Sequence, residues 1–307
     1  MKRLLHGLAM LLCVTLAIVV VGCDTSTPTR LTTAAPMPSP TASAAFDPTP
    51  GPDFTALARY MMDLVNRDRQ AAGVEPLEWD EAAARAAQGH AEEMAVYGYL
   101  SHWDLMGYGP EYRYAMAGGS DSVRENVYSY YQRFSNGQGV PVEDWRGAVA
   151  QAQTTLMQSP GHHENILLAS HTHVGIGIAY EPARGEIRIA QEFVDRYVIL
   201  DSLPDEVNQG DAVEVSGRAL PGASKPLINL AREPFRLPMT VEELNATPTY
   251  DSPATIYMAL SPVVDGDRFS VTIRFTTSDA PGIYHVRVWV LQSGQQVLAA
   301  NAILRLR

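Results

Sequence analysis

The stretch Ser159-Pro160-Gly161-His162-His163-Glu164-Asn165-Ile166-Leu167, followed a few residues on by Val174-Gly175-Ile176-Gly177-Ile178-Ala179-Tyr180, decides the fold class of this chain. Its first part has the chemistry of a helix start, with serine at the cap and proline at the first helical position. Its second part sets Val174, Ile176, Ile178 and Tyr180 against glycines and alanine with the period of a strand. After a turn at Ala183-Arg184-Gly185, Ile187, Ile189, Gln191 and Phe193 resume the alternation, which predicts a hairpin that follows helices.

Upstream, the pattern is helical. Pro52-Asp53 is a start signal, and Phe54, Leu57, Met61, Leu64 and Val65 form one apolar stripe that ends by Gly73. A second helix begins after Trp79 with Asp80 as cap and places Ala83, Ala86, His90, Met94 and Tyr97 on one face. His90 on that face reads as a buried histidine held by a backbone partner. Residues 144–157 suit a third helix with Val149, Ala152 and Leu156 inward, and the tyrosine-rich span 107–139 reads as an irregular segment bordering a cleft. Helices first and strands last indicate an α+β layered domain rather than a wound parallel sheet.

Beyond Leu200 the texture changes to prolines and short alternating runs without a convincing helical period. Phe269, Val271, Ile273 and Phe275 alternate, as do Tyr284, Val286, Val288 and Val290, and 213–220 and 298–306 supply further strands. An all-β sandwich of the immunoglobulin-like kind closes such strands. The expected organisation is a folded domain over 53–197 and a β-sandwich over 205–307, each with its own core.

The first 22 residues have the parts of an export signal: Lys2 and Arg3, an apolar run from Gly7 to Val21, and Gly22 before Cys23. The run is shorter than a membrane span. Val20-Val21-Gly22-Cys23 resembles the cleavage box of bacterial lipoproteins, which implies that Cys23 becomes the acylated first residue and that the chain faces the extracytoplasmic side of the cell membrane. Residues 23–52, dominated by Thr, Ser and Pro, then form a tether. The chain has two cysteines, Cys13 and Cys23, so loss of the signal leaves no pair for a disulfide within the mature chain. A net charge of −11 argues against nucleic acid or anionic headgroups as partners.

Six of the eight histidines lie between residues 90 and 173. Imidazoles near carboxylates are suited to proton transfer or metal ligation at neutral pH, and they mark a candidate site. His163, His171 and His173 read more simply as solvated loop or edge residues.

These motifs together resemble the CAP superfamily, the SCP-like extracellular domain of cysteine-rich secretory and pathogenesis-related proteins. The resemblance rests on Val65-Asn66-Arg67, Arg69, Gly73-Val74, Pro76-Leu77, His90-Ala91, Met94, Leu100-Ser101-His102 and Glu125-Asn126-Val127, then on Ser159-Pro160-Gly161-His162, Asn165-Ile166-Leu167 and Val174-Gly175-Ile176-Gly177. It covers 53–197. It implies an α-β-α sandwich with a central cleft in which His102 matches the first histidine of the family's site, Glu125 the first glutamate and His162 the second histidine. The second glutamate falls near Ser159, where no carboxylate stands, and a tryptophan usual in bacterial members is Leu156. His102, Glu125 and His162 could hold a divalent ion such as zinc with water in an open position, with Glu164, His171 or His173 as further donors.

The expected function is a membrane-tethered binding protein whose cleft takes a small apolar or glycan-like ligand or a cell-envelope component. The alternative is a hydrolase of envelope polymer or peptide, using the same three side chains or an ion they hold. The chain contains no Gly-x-Ser-x-Gly and no His-Glu-x-x-His, so no nucleophile motif supports the alternative.

Overall fold

A computed structural model describes residues 52–131, 139–254 and 256–307. The signal, Cys23 and nearly all of the tether lie outside the described residues. Among the described residues no helix is long and apolar enough to cross a membrane.

Helix α1 (Phe54–Ala71) starts where Asp53 accepts the Ala56 N–H at 3.0 Å, and it buries Leu57, Met61, Leu64 and Val65 on the expected stripe. Strand β1 (Glu78–Trp79) leads into α2 (Glu81–Tyr97), capped by Asp80 at 2.6 Å from the Ala83 N–H and ended by Gly98 at φ +76°. Tyr97, expected on the inner face, is 55% exposed, because it sits at the last turn past the edge of the sheet-facing stripe. The span read as irregular contains helix α3 (Pro110–Met116) and a ten-residue strand, β2 (Ser122–Tyr131). Helices α4 (Trp145–Gln158) and α5 (Pro160–Ile166) follow, then the expected hairpin of β3 (His173–Glu181) and β4 (Glu186–Asp195). Pro160 begins α5 as expected, but the Ser159 side chain makes no cap hydrogen bond.

The four strands run in the order β1-β3-β4-β2, which leaves β2 at an edge. The alternation that opened the sequence reading now has its cause. Val174, Ile176 and Ile178 pack with Met61, Val65, Val149 and Leu156 of α1 and α4 on one face. Gly175 and Gly177 lie on the other, where any Cβ would run into the backbone of α2 at Ala83–Ala84 and Ala87. Bulk on one face and none on the other let helices cover both, giving an α-β-α sandwich.

The chain enters the second half directly: Tyr197 and Val198 already belong to the next core. Its elements are β5 (Val198–Leu200), β6 (Glu206–Val207), β7 (Ala212–Ala219), β8 (Ala223–Glu233), α6 (Val241–Ala246), β9 (Ile256–Leu260), β10 (Val263–Asp265), β11 (Arg268–Arg274), β12 (Gly282–Gln292) and β13 (Gln295–Leu306). They form two sheets, β10-β11-β7-β5 and β6-β13-β12-β8-β9, that enclose Val215, Ile228, Leu230, Ile273, Val286 and Leu304. The two strands read around 269–290 are present, but β11 pairs with β7 and β12 with β13 and β8, so they belong to opposite sheets. The fold is mixed α+β with a β-rich C-terminal part.

Residues 50–307 form one compact unit. The connection from β8 to β9 reaches across the first half, where Leu244 of α6 is fully buried with Ala87, Met94, Tyr99 and Val127. This strap is one physical link between the two cores.

Candidate functional site

His102 stands on the loop between α2 and α3, and the strap clamps that loop. The His102 N–H donates to the Pro248 carbonyl at 3.3 Å, the Ser101 hydroxyl to Thr247 at 2.7 Å, and the Trp103 indole N–H to Thr249 at 2.8 Å. From α3, Arg113 donates to the His102 carbonyl at 2.8 Å. Both backbone groups of His102 are thus held, one by the strap and one by α3.

Glu125 projects from edge strand β2 with no exposed side-chain surface. Its Oε1 lies 2.8 Å from His102 Nδ1 and its Oε2 2.7 Å from Arg113 Nη2. An ionised carboxylate only accepts, so Nδ1 carries the imidazole proton and Nε2 is the free nitrogen. Burial alone would raise the Glu125 pKa, but the Arg113 charge and the His102 hydrogen bond outweigh it and hold the carboxyl well below the usual range. His90 behaves as the sequence suggested. Its Nε2–H donates to the Ser101 carbonyl at 2.9 Å, and burial, then Arg113, push its pKa down to about 3, so the ring is neutral.

A second carboxylate sits against the first. Glu192 on β4 is the cross-strand partner of Glu125, is fully buried, and has no hydrogen-bond partner on either oxygen among the described residues. Burial and the Glu125 charge raise its pKa far above the ordinary value, so Glu192 is a neutral acid beside an ionised one.

His162, on the first turn of α5, lines the same cavity as His102 and Glu125. Its pKa is lowered by burial and by His102. The three side chains singled out in the sequence therefore meet at one cavity. Beneath them Asn165 donates to Asn126 at 3.0 Å and Asn126 to Gln191 at 3.1 Å. His171, read as solvated, is 2% exposed and bridges Asp195 at 2.6 Å and Asn165 at 3.1 Å, so it orders this floor.

The trio does not fit a metal ion. Among the described residues no group of three His, Cys, Asp or Glu side chains is placed to hold one. The cause is local: the carboxylate's oxygens are taken by His102 and by the buried Arg113 guanidinium, which supplies the positive charge an ion would bring.

The cavity, of about 910 Å³, has a second wall that sequence reading missed. It is formed by Tyr250 and Ser252 of the strap and by Arg287, Trp289 and residues 295–298 of the β-sandwich. Glu111 of α3 accepts from the Tyr250 hydroxyl and, at 2.5 Å, from Ser252, whose Oγ in turn accepts from Arg287 at 2.5 Å. Glu111 and Arg287 are thereby bound into one network that seats the wall on the floor.

Residues 62–194 match the model of the CAP family, described as the cysteine-rich secretory protein family. This part of the chain is a CAP domain. Among curated proteins it is similar to the uncharacterized protein YkwD of Bacillus subtilis, 29% identical over 126 residues that make up 40% of this chain and 42% of the relative. It is also similar to the uncharacterized membrane protein YlbC of the same organism, 31% identical over 127 residues, 40% of this chain and 32% of that protein. The chain thus spans less than half the length of these relatives. Among solved structures, an extracellular protein containing an SCP domain from Bacillus anthracis matches at TM-score 0.39 and 22% identity, over 50% of this chain and 45% of that one. An outer surface protein of Borrelia burgdorferi matches at TM-score 0.39 and 15% identity, over 47% and 96% respectively.

Proposed function

We propose that the chain is an exported, lipid-anchored binding protein whose CAP cleft, walled on one side by the C-terminal sandwich, holds a polar component of the cell envelope. The carrying observation is the cavity itself. It is lined by His102, His162, Arg124, Glu164 and Asp251 beside amide side chains, and an apolar ligand would strip these groups of water without repaying them. That favours a hydroxyl- or amide-rich ligand over a lipid tail. Anchoring through Cys23 rests on the signal and tether, and the membrane-protein description of one relative agrees with it. If Cys23→Ser leaves the protein as firmly in the membrane fraction as before, the anchor is wrong, because a single retained apolar segment must then hold it.

Native mass spectrometry of the chain taken from its own membrane fraction tests the cleft. A retained polar molecule, lost in His102→Ala with the melting temperature held within a few degrees, is the expected result. Retention of the same molecule by His102→Ala would place binding elsewhere.

One observation favours a second reading, hydrolysis. Glu125 orients the His102 ring with Nε2 free, as a general base requires. Turnover of the retained molecule by the parent chain that vanishes in both His102→Ala and Glu125→Gln, with melting temperatures held, would convert the binding protein into an enzyme.

A further inference from the structure

Strand β2 has one paired edge and one open edge. On the paired side it runs against β4 from Ser122 to Tyr131. On the open side a second antiparallel ladder begins and stops at once: Asp121 bridges to Ala300 of β13, and the Asn301 N–H donates to the Ser120 carbonyl at 2.9 Å. Strand β13 is likewise open there. It pairs with β12 on one side, and on the other it meets β6 only at Arg305 and Leu306.

Had the ladder continued, residues 122–126 would face 299–295. Those same segments, 122–126 and 295–298, instead both line the cavity. The divergence has a cause in β13, whose register against β12 shifts between Val288 and Trp289, leaving Ala299 as an extra residue next to the bridge. A bulged strand bends, and this bend falls where the ladder ends. The result is a fork of two strand edges whose main-chain donors and acceptors on the cavity side have no protein partner among the described residues.

We propose that the fork is a site for a short extended peptide, inserted as a strand between β2 and β13. This deepens the reading of the cleft as a binding site and names its ligand class. Four or five residues at about 3.3 Å each match the open segments. Pairing with an exposed edge supplies affinity through the main chain, and pockets beside it supply selectivity. The charges at the fork say which peptide. Arg124, on β2, is exposed and has no ion-pair partner among the described residues, while Glu164 and Asp251 are exposed acids on the same cavity. A peptide that carries both a carboxylate and an amine meets them, as a bidentate Arg–carboxylate contact and an ammonium–carboxylate contact do. An exposed segment of protein chain has this chemistry, and its uniform L-backbone pairs with a strand edge as a stem of mixed D- and L-residues does not.

The test uses the full chain with the peptide Ala-Glu-Ala-Lys-Ala, its counterpart N-methylated at alternate amides, and an oligomer of N-acetylglucosamine. Backbone hydrogen exchange is read at 122–126 and 295–299. The expected result is slowed exchange at both edges with the peptide and about tenfold or weaker binding after methylation, since two or more main-chain hydrogen bonds are lost while the side chains stay. Arg124→Ala, an exposed change that leaves the fold intact, should weaken the unmethylated peptide severalfold. Equal binding of the methylated peptide, or no change in exchange at either edge, overturns the fork. If the sugar oligomer binds in a His102-dependent way while the peptide does not, the fork falls and the polar cleft stands. If neither binds, both readings fall. A D-residue-containing peptide stem that displaces the L-peptide at equal or lower concentration overturns the protein segment as the occupant.

Discussion

At the scale of single residues the site is an electrostatic arrangement in which one buried guanidinium serves two buried carboxyls. Arg113 holds Glu125 ionised, and burial together with that neighbouring negative charge raises the pKa of Glu192, its cross-strand neighbour. The consequence for stability has a definite sign. An unfolded glutamate ionises near 4.5, whereas folded Glu192 holds its proton to a higher pH. Its contribution is therefore complete below 4.5 and is lost as pH rises toward the raised folded value. Glu192→Gln keeps the shape and removes the titration. Thermal melts between pH 4 and 9 should show the variant gaining on the parent as pH rises, and parallel curves would mean that Glu192 is ionised in the fold. His90 acts oppositely: its pKa lowered to about 3 makes stability fall as pH drops from 6.5 toward that value. What could be read beforehand follows the same division. His102, Glu125 and His162 were legible because each stands in a recognisable motif. Glu192 and Arg113 were not, since their role depends on strand register and on a helix hidden in a stretch that read as irregular.

At the scale of elements the strap between β8 and β9 positions the site. It contains α6, whose Thr240–Glu243 capping box closes both helix-start donors, with the Glu243 N–H donating to Thr240 at 3.2 Å and the Thr240 N–H to Glu243 at 2.7 Å. Six residues have too few turns to show a period, which explains why no helix was expected after Leu200. Strands β7 and β11 were legible because each buries alternate residues, and β12 because Tyr284, Val286, Val288 and Val290 alternate in sequence although Gly282–Val288 is buried throughout. Strand β8 was missed because its early part, with Lys225 at φ +52° and Pro226, breaks the alternation. Leu244 is the strap's anchor, and Leu244→Ala should cost about 2–5 kcal/mol, the usual range for a buried leucine. If the strap also sets the His102 loop, the variant should lose slow hydrogen exchange at Leu100, His102 and Trp103. Destabilisation with that protection intact would show that the loop holds itself.

At the scale of the whole molecule the question is how far the two halves depend on each other. The core beneath α1 and α4 draws only on residues from Leu57 to Phe193, and the sandwich core only on residues from Tyr197 onward. Each is complete in itself, which is why a change of texture near residue 200 was visible in the sequence. The cluster around α2 is different, since Leu244 with Met239 and Val241 comes from the other half to cover Met94 and Tyr99. Such a crossing leaves no compositional trace, because a lone leucine in a polar loop looks like any other. A fragment of 53–197 should therefore still melt cooperatively, but below the full chain. Losing the buried Leu244 and the strap's hydrogen bonds removes several kcal/mol, which in a domain of this size lowers the melting temperature by about 10 °C. The same fragment should expose Met94 and Tyr99, bind a hydrophobic dye, and lose retention in the cleft even though His102, Glu125 and His162 are all present. A fragment that melted with the full chain and kept its ligand would show that the sandwich covers the cleft without building it.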